Sequence, residues 1–318
     1  MPRFLLACFV LAPLLAGTRG PIVIDRPAAP EVLYAIGDAH GDVERLAALL
    51  RAAHLADGAT WTGGRAVLVV TGDMIDKGLH SVDVLRLLAA LRSAAPQTGG
   101  QVIVLSGNHE AEFLADPTAD KAEDFIADLK KSGYEPQKVA ACQEDVGEFL
   151  CSLPYAARVG EWFFSHAGNT AGRSLAQLEA DIRGGLAADG HATKQLTGAT
   201  SLLEARLGEG KVWFASPDEH RLLASYAEAL GVKHIVQGHQ HNEVRFADGV
   251  ERHTGEMFQR WGLLFLIDVG MSRDVGDSKG AILRIVDGKA TAVCPDGKET
   301  ILWQEGGPME FNRAAPCR

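Results

Sequence analysis

Aspartates, histidines and one asparagine recur in five short blocks of this 318-residue chain. The blocks are Gly37-Asp38-Ala39-His40-Gly41, Gly72-Asp73-Met74-Ile75-Asp76-Lys77-Gly78, Gly107-Asn108-His109-Glu110, Ser165-His166-Ala167-Gly168 and Gly238-His239-Gln240-His241. Carboxylate oxygen, imidazole nitrogen and amide oxygen form the ligand set of a hard-to-borderline divalent cation. The blocks hold enough of these groups for two cations, which points to metal-assisted attack on a phosphate ester. Taken singly, each residue has an ordinary structural reading. Asp38 and Asp73 after glycine suit turns, Asp76 suits a helix N-cap and Asn108 suits a left-handed turn position. His166 and His239 suit satisfied, partly buried sites. Five blocks with one chemistry and one local context argue for a shared site.

That context is a strand end. Val32 to Ile36, Val67 to Thr71, Val102 to Leu105, Trp162 to Phe164 and His234 to Val236 each precede a block. Apolar runs of this kind before glycine read as buried strands closing in tight turns. Strands 32–36, 66–71 and 101–105 alternate with helices expected at 43–56, 81–94 and somewhere in 111–132. The first carries Val43, Leu46, Ala47 and Leu50 on one face; the second carries Val84, Leu85, Leu88 and Leu91. Segment 133–160 is mixed, and helices are expected near 174–188 and 218–230. The tail reads as β over 261–268, 281–286, 290–294 and 299–303, with turns at Asp287-Gly288 and Asp296-Gly297. The pattern predicts a layered α/β fold whose site lies at strand carboxyl ends.

The first twenty residues stand apart. Arg3, the apolar stretch Phe4 to Ala16 with Pro13, and the small residues Ala16 and Gly17 read as a cleaved secretory signal. The mature chain is then one catalytic domain, 21–318, secreted or periplasmic, with no membrane attachment after cleavage. The formal charge of −10 becomes −12, because Arg3 and Arg19 leave and no acid goes with them. An acidic chain argues against nucleic acid as partner. It leaves phosphorylated substrates open, since bound cations reverse the local field. Four of the five cysteines remain: Cys142, Cys151, Cys294 and Cys317. An even count in an exported chain favours disulfides, and 142–151 and 294–317 are the two local choices.

The order of the five blocks resembles the metal-dependent phosphoprotein phosphatases of the metallophosphoesterase superfamily. Together with Val212-Trp213-Phe214 and Ile267-Asp268-Val269-Gly270-Met271-Ser272, it is most similar to the bacterial-type Shewanella-like protein phosphatases. The resemblance implies a calcineurin-like layered β-sandwich flanked by helices. It implies two divalent metal ions (Mn, Fe or Zn), with Asp38 and His40 on the first, Asp73 between both, and Asn108, His166 and His239 on the second. A water or hydroxide shared by the metals is then the nucleophile. His109 protonates the leaving oxygen, Asp76 supports His109, and Lys77 and Asn108 hold phosphate oxygens.

Three features depart from the family pattern. Lys77 stands where the family has arginine, and lysine lacks the bidentate fork. Ala215 follows Trp213-Phe214 where a second arginine is usual, leaving Arg158, Arg221, Arg245 or Arg273 as substitutes. His241 completes a Gly-His-x-His pattern typical of the wider superfamily, either as a further ligand of the first metal or as a rim histidine. The expected activity is hydrolysis of phosphate monoesters: serine/threonine or tyrosine phosphoprotein, or small phosphate esters. Cleavage of a nucleotide or dinucleotide polyphosphate is the alternative. A non-catalytic phosphate-binding module fits less well, because a binder has no use for the Asp76/His109 pair.

Overall fold

The strand Val67–Val70 is buried on both faces, and this sets the architecture. Val67 and Val69 face one apolar cluster, while Leu68 and Val70 face another. A strand covered on both sides reads as a continuous apolar run, because no position needs to meet water. The structure, a computed structural model, describes residues 21–208, 211, 218–307 and 312–317. The expected signal segment 1–20 and Val212-Trp213-Phe214 lie outside the described residues.

Two sheets pack face to face. One has six strands in the order Glu299–Gln304, Lys289–Val293, Ile282–Val286, Leu33–Ile36, Val67–Val70, Gln101–Val104. Its last three strands run parallel, with Leu33 opposite Val67 and Val67 opposite Gln101. The other has seven, in the order Val23–Arg26, Ala156–Val159, Trp162–Ser165, His234–Gln237, Leu264–Leu266, Glu256–Arg260, Asn312–Pro316. There, Trp162–Ser165, His234–Gln237 and Leu264–Leu266 are mutually parallel. Leu33, Val67, Val69 and Ile103 from one sheet meet Ala157, Phe164, Val236 and Phe265 from the other in the middle layer. Helices cover both outer faces. Val43–Ala52 and Ser81–Ala94 lie on the six-stranded sheet; Leu175–Asp189 and Glu219–Leu230 lie on the seven-stranded one. The layered α/β sandwich matches the expectation from sequence.

Differences arise where local geometry overrides pattern. The first helix stops at Ala52 rather than running to 56. His54 adopts a left-handed φ of 57°, and the Leu55 amide bonds back to Leu50 O at 2.9 Å. This closes the helix in a Schellman-type turn, and a short hairpin, Ala56–Asp57 with Thr60–Trp61, follows. The third helix begins earlier than expected, at Asn108. Strands Val23–Arg26, Glu256–Arg260 and Asn312–Pro316 fall outside the expected set. Each lies at or near a sheet edge, where polar residues weaken the apolar signature.

Cys142 faces Cys151, and Cys294 faces Cys317, at disulfide spacing, with Cα–Cα distances of 5.7 and 5.4 Å. The second pair ties the end of Lys289–Val293 to the end of Asn312–Pro316, joining the two sheets. We expect protein purified from an oxidising compartment to carry no free thiol among these four cysteines. Alkylation and peptide mass mapping check this, and free thiols at Cys142 and Cys151 would contradict it. Among the described residues, no helix is long and apolar enough to cross a membrane.

Candidate active site

The five blocks meet at one pole of the sandwich, where the parallel strands end. Close approach there depends on glycine. A Cβ on Gly107 would lie 2.1 Å from Asp73 Oδ1, and one on Gly238 would lie 2.3 Å from Asp38 Oδ1. The turns are tight enough to put side-chain residues in left-handed conformations. Eleven described non-glycine residues have positive φ, and five of them are His40, Asp73, Asp76, Lys77 and His239. Such strain persists only where surrounding structure holds it, and it gathers at functional sites.

Asp73 is the centre. Its Oδ2 lies 3.2 Å from His166 Nε2, 3.7 Å from His40 Nε2 and 4.0 Å from His109 Nε2. It therefore belongs to two groups of closely spaced donors: His40, Asp73 and His109, and Asp73, His166 and His239. Around His166 Nε2 the Asn108 Oδ1 stands at 2.9 Å and His239 Nδ1 at 3.1 Å. Backbone carbonyls fix two of the imidazoles. His40 Nδ1 donates to Ile75 O and His166 Nδ1 to Thr71 O, both at 3.0 Å. Each Nε2 lone pair is thereby turned into the site, an orientation usual for metal-binding histidines. Burial lowers the His40 pKa to about 3 and lowers that of His239 well below its ordinary value. Both rings stay neutral, the state that binds a cation.

The donor set fits a divalent cation. Asp73 Oδ2, Asn108 Oδ1 and His239 Nδ1 converge on His166 Nε2, and His239 Nε2 is buried without a partner. Burial opposes protonation of His166, yet Asp73 and Asp38 outweigh it and lift its pKa to about 10. The cluster thus calls for positive charge at that point. Asp38 is buried beside it, and its two oxygens accept the His239 N–H at 3.2 and 3.1 Å. His241 turns toward the buried Asp268, with Nδ1 3.6 Å from Oδ2. Asp38 and His241 are therefore adjacent to, but outside, the two closest donor groups.

His109 and Asp76 form a second unit. His109 Nδ1 donates to Asp76 Oδ2 at 3.0 Å, and Asp76 Oδ1 accepts the Phe125 amide at 3.0 Å. Burial pushes the His109 imidazole down, but Asp73 and the Asp76 bond raise it above its ordinary pKa. Glu110, to which sequence reading assigned no role, is fully buried and stitches two blocks together. Its carboxylate accepts the amides of Gly107 at 2.7 Å, Asp73 at 2.9 Å, Met74 at 2.8 Å and Ile75 at 3.2 Å. Its only signal in the sequence is position, directly after the histidine of its block.

The four arginines considered as substitutes are each held by a carboxylate. Arg158 pairs with Asp25, Arg221 with Asp218 and Arg273 with Glu44, all at 2.6 Å, and Arg245 with Glu251 at 2.7 Å. A fifth, Arg206, is exposed, and its charge reaches His239. Gln240, next to His239, accepts the Leu207 amide at 2.6 Å and donates to Leu207 O at 3.3 Å. These bonds fix the backbone next to Arg206, whose charge helps keep the His239 imidazole neutral after burial and His166. No motif in the sequence marks Arg206; a contact between distant segments places it. Lys77 is exposed, and its charge reaches His40.

Residues 32–243 match the calcineurin-like phosphoesterase family. The chain belongs to that family. As a calcineurin-like phosphoesterase, it resembles Shewanella-like protein phosphatase 2 of Arabidopsis thaliana, with 26% identity covering 84% of this chain and 78% of the relative. A shorter match links it to a symmetrical bis(5'-nucleosyl)-tetraphosphatase of Enterobacter sp., with 37% identity over 82 residues, 26% of this chain and 25% of the relative. Among solved structures, it is similar in fold to a cold-active protein-tyrosine phosphatase of a psychrophile Shewanella sp.. That match has a TM-score of 0.65 and 22% identity, covering 90% of this chain and 83% of the other. These relations bear out the expected family, fold and class: the chain is a metal-dependent phosphatase.

Proposed function

We propose that this phosphatase hydrolyses phosphate monoesters, with phosphoprotein as its substrate class, using two divalent cations in a compartment outside the cytoplasm. The observation that supports the two-cation reading is Asp73, common to both donor groups. Asp38 and His40 would hold one cation, with His241 at the rim facing Asp268; Asn108, His166 and His239 would hold the other. Mn, Fe and Zn all suit this ligand set. Bound there, the cations supply Lewis acidity, polarising the phosphoryl group and lowering the pKa of water beside it.

The remaining chemistry belongs to the chain. His109 donates the Nε2 proton to the departing alkoxide or phenoxide, and Asp76 holds Nδ1–H so that Nε2 faces the cleft. Asn108 and Lys77 hold non-bridging phosphate oxygens, and Arg206 supplies the fork that Lys77 lacks. Transition-state charge sits on those oxygens, so the cationic donors matter most there. Lys77→Ala and Arg206→Ala are each expected to lower kcat/KM by roughly tenfold to a hundredfold, with folding and metal content intact. Lys77→Arg should keep or improve activity. Steady-state kinetics on an aryl phosphate checks this, and a silent Arg206→Ala removes Arg206 from the role.

The short match to a dinucleotide tetraphosphatase supports one alternative, cleavage of nucleotide polyphosphates. Metal analysis with product assays on phosphopeptides, an aryl phosphate and a dinucleoside tetraphosphate separates the two. Two cations per chain and preferred phosphopeptide turnover are expected; preferred tetraphosphate cleavage would reverse the substrate assignment.

A further inference from the structure

The strands that end in the His166 and His239 blocks begin, at the opposite pole, with Trp162 and His234. Four residues at about 3.3 Å each separate the poles by about 13 Å. Nothing in the phosphatase reading uses this second pole, yet it holds a cavity of about 330 Å³. Its inner wall is aromatic. Trp162 stacks on His234 with ring centroids 3.9 Å apart, and His234 meets Trp303 edge-on at 4.5 Å. The two indoles are nearly perpendicular, at 80° and 6.1 Å, and Trp303 is half-buried.

The rim is acidic. Glu31, Glu161, Asp287 and Glu305 line it, and no lysine or arginine does. Exposed Lys233 pairs with two of them, 2.8 Å from Glu161 and 3.8 Å from Glu305, and Arg65 is 3.8 Å from Glu31. Four carboxylates against two cations leave negative charge in excess. His234 adds no positive charge, because burial keeps its pKa at about 4 and its Nδ1 bonds Gly262 O.

We propose that this cavity binds a small organic ammonium ion, of the size of choline. An indole face is electron-rich and attracts a cation, and the effect strengthens where water is excluded. A carboxylate rim adds Coulomb attraction and repels anions, so phosphorylated substrate is not the occupant. The volume suits a compact small molecule.

The test titrates the full-length protein with choline and with its neutral isostere, in which carbon replaces the quaternary nitrogen. Tryptophan fluorescence and calorimetry are the readouts. Choline is expected to bind saturably, and the isostere at least about tenfold more weakly. Trp303→Ala should abolish binding, Trp303→Phe should retain it, and Glu305→Gln should weaken it severalfold. All three variants should keep full activity on an aryl phosphate. Equal binding of choline and isostere would reduce the cavity to an apolar hollow and overturn the proposal. So would absence of saturation at tens of millimolar choline, or unchanged binding in Trp303→Ala. A lysine-bearing peptide that displaces choline and binds far more tightly would also overturn it, replacing the small ligand with a protein partner. If Trp303→Ala does not fold, Glu305→Gln at the solvent-facing rim decides.

Discussion

Asp73→Asn is expected to abolish turnover and lower the metal content below two ions per chain. Asp73 is the only residue common to the two donor groups found among the described residues. Its carboxylate supplies the charge that lets two cations sit in one cleft; an amide of the same shape supplies none. Lewis-acid stabilisation is worth several kcal/mol, and about 4 kcal/mol corresponds to on the order of 10³-fold in rate. The loss should therefore be at least that large. Circular dichroism controls for folding, because Asp73 also accepts the His109 amide at 3.1 Å, a bond that asparagine can keep through its oxygen. Near-normal activity with both metals bound would refute the bridging assignment.

His109→Ala should separate substrates by their leaving group. A general acid contributes roughly 10²–10⁴-fold where the departing oxygen is basic. Alkyl phosphates, including phosphoserine peptides, should lose activity in that range. Nitrophenyl phosphate should lose far less, since its leaving group departs with little help. Asp76→Asn should show the same pattern, because its one amide oxygen can accept from only one of Phe125 N and His109 Nδ1, and its NH2 cannot stabilise the imidazolium. Equal loss on both substrate types would remove His109 from the acid role and reassign it to structure or to metal binding. Its Nε2, 4.0 Å from Asp73 Oδ2, makes that second outcome chemically meaningful.

The sequence by itself determined the strands, the turns and the chemistry at their ends. Val67–Val70 was legible because burial on both faces removes any polar alternation. The glycine-bounded blocks were legible because glycine marks where backbone must pass close to a side chain, as at Gly107 and Gly238. Residue type then limited the chemistry to cation binding and proton transfer. Edge strands such as Val23–Arg26 and Asn312–Pro316 were hidden, since half-exposed positions carry no distinctive pattern.

Only the tertiary structure decided which groups meet. It turned His40 and His166 by bonding each Nδ1 to a carbonyl from another strand end. It made Glu110 the acceptor of four amides from two blocks, and it tied the backbone next to Arg206 to Gln240, the neighbour of His239. It also gathered Trp162, His234 and Trp303 from three separated strands into one wall. Periodicity reports the face on which a residue lies, not the partner it finds there. Such contacts span dozens to hundreds of residues, and their geometry follows from how two sheets stack, which no local pattern encodes.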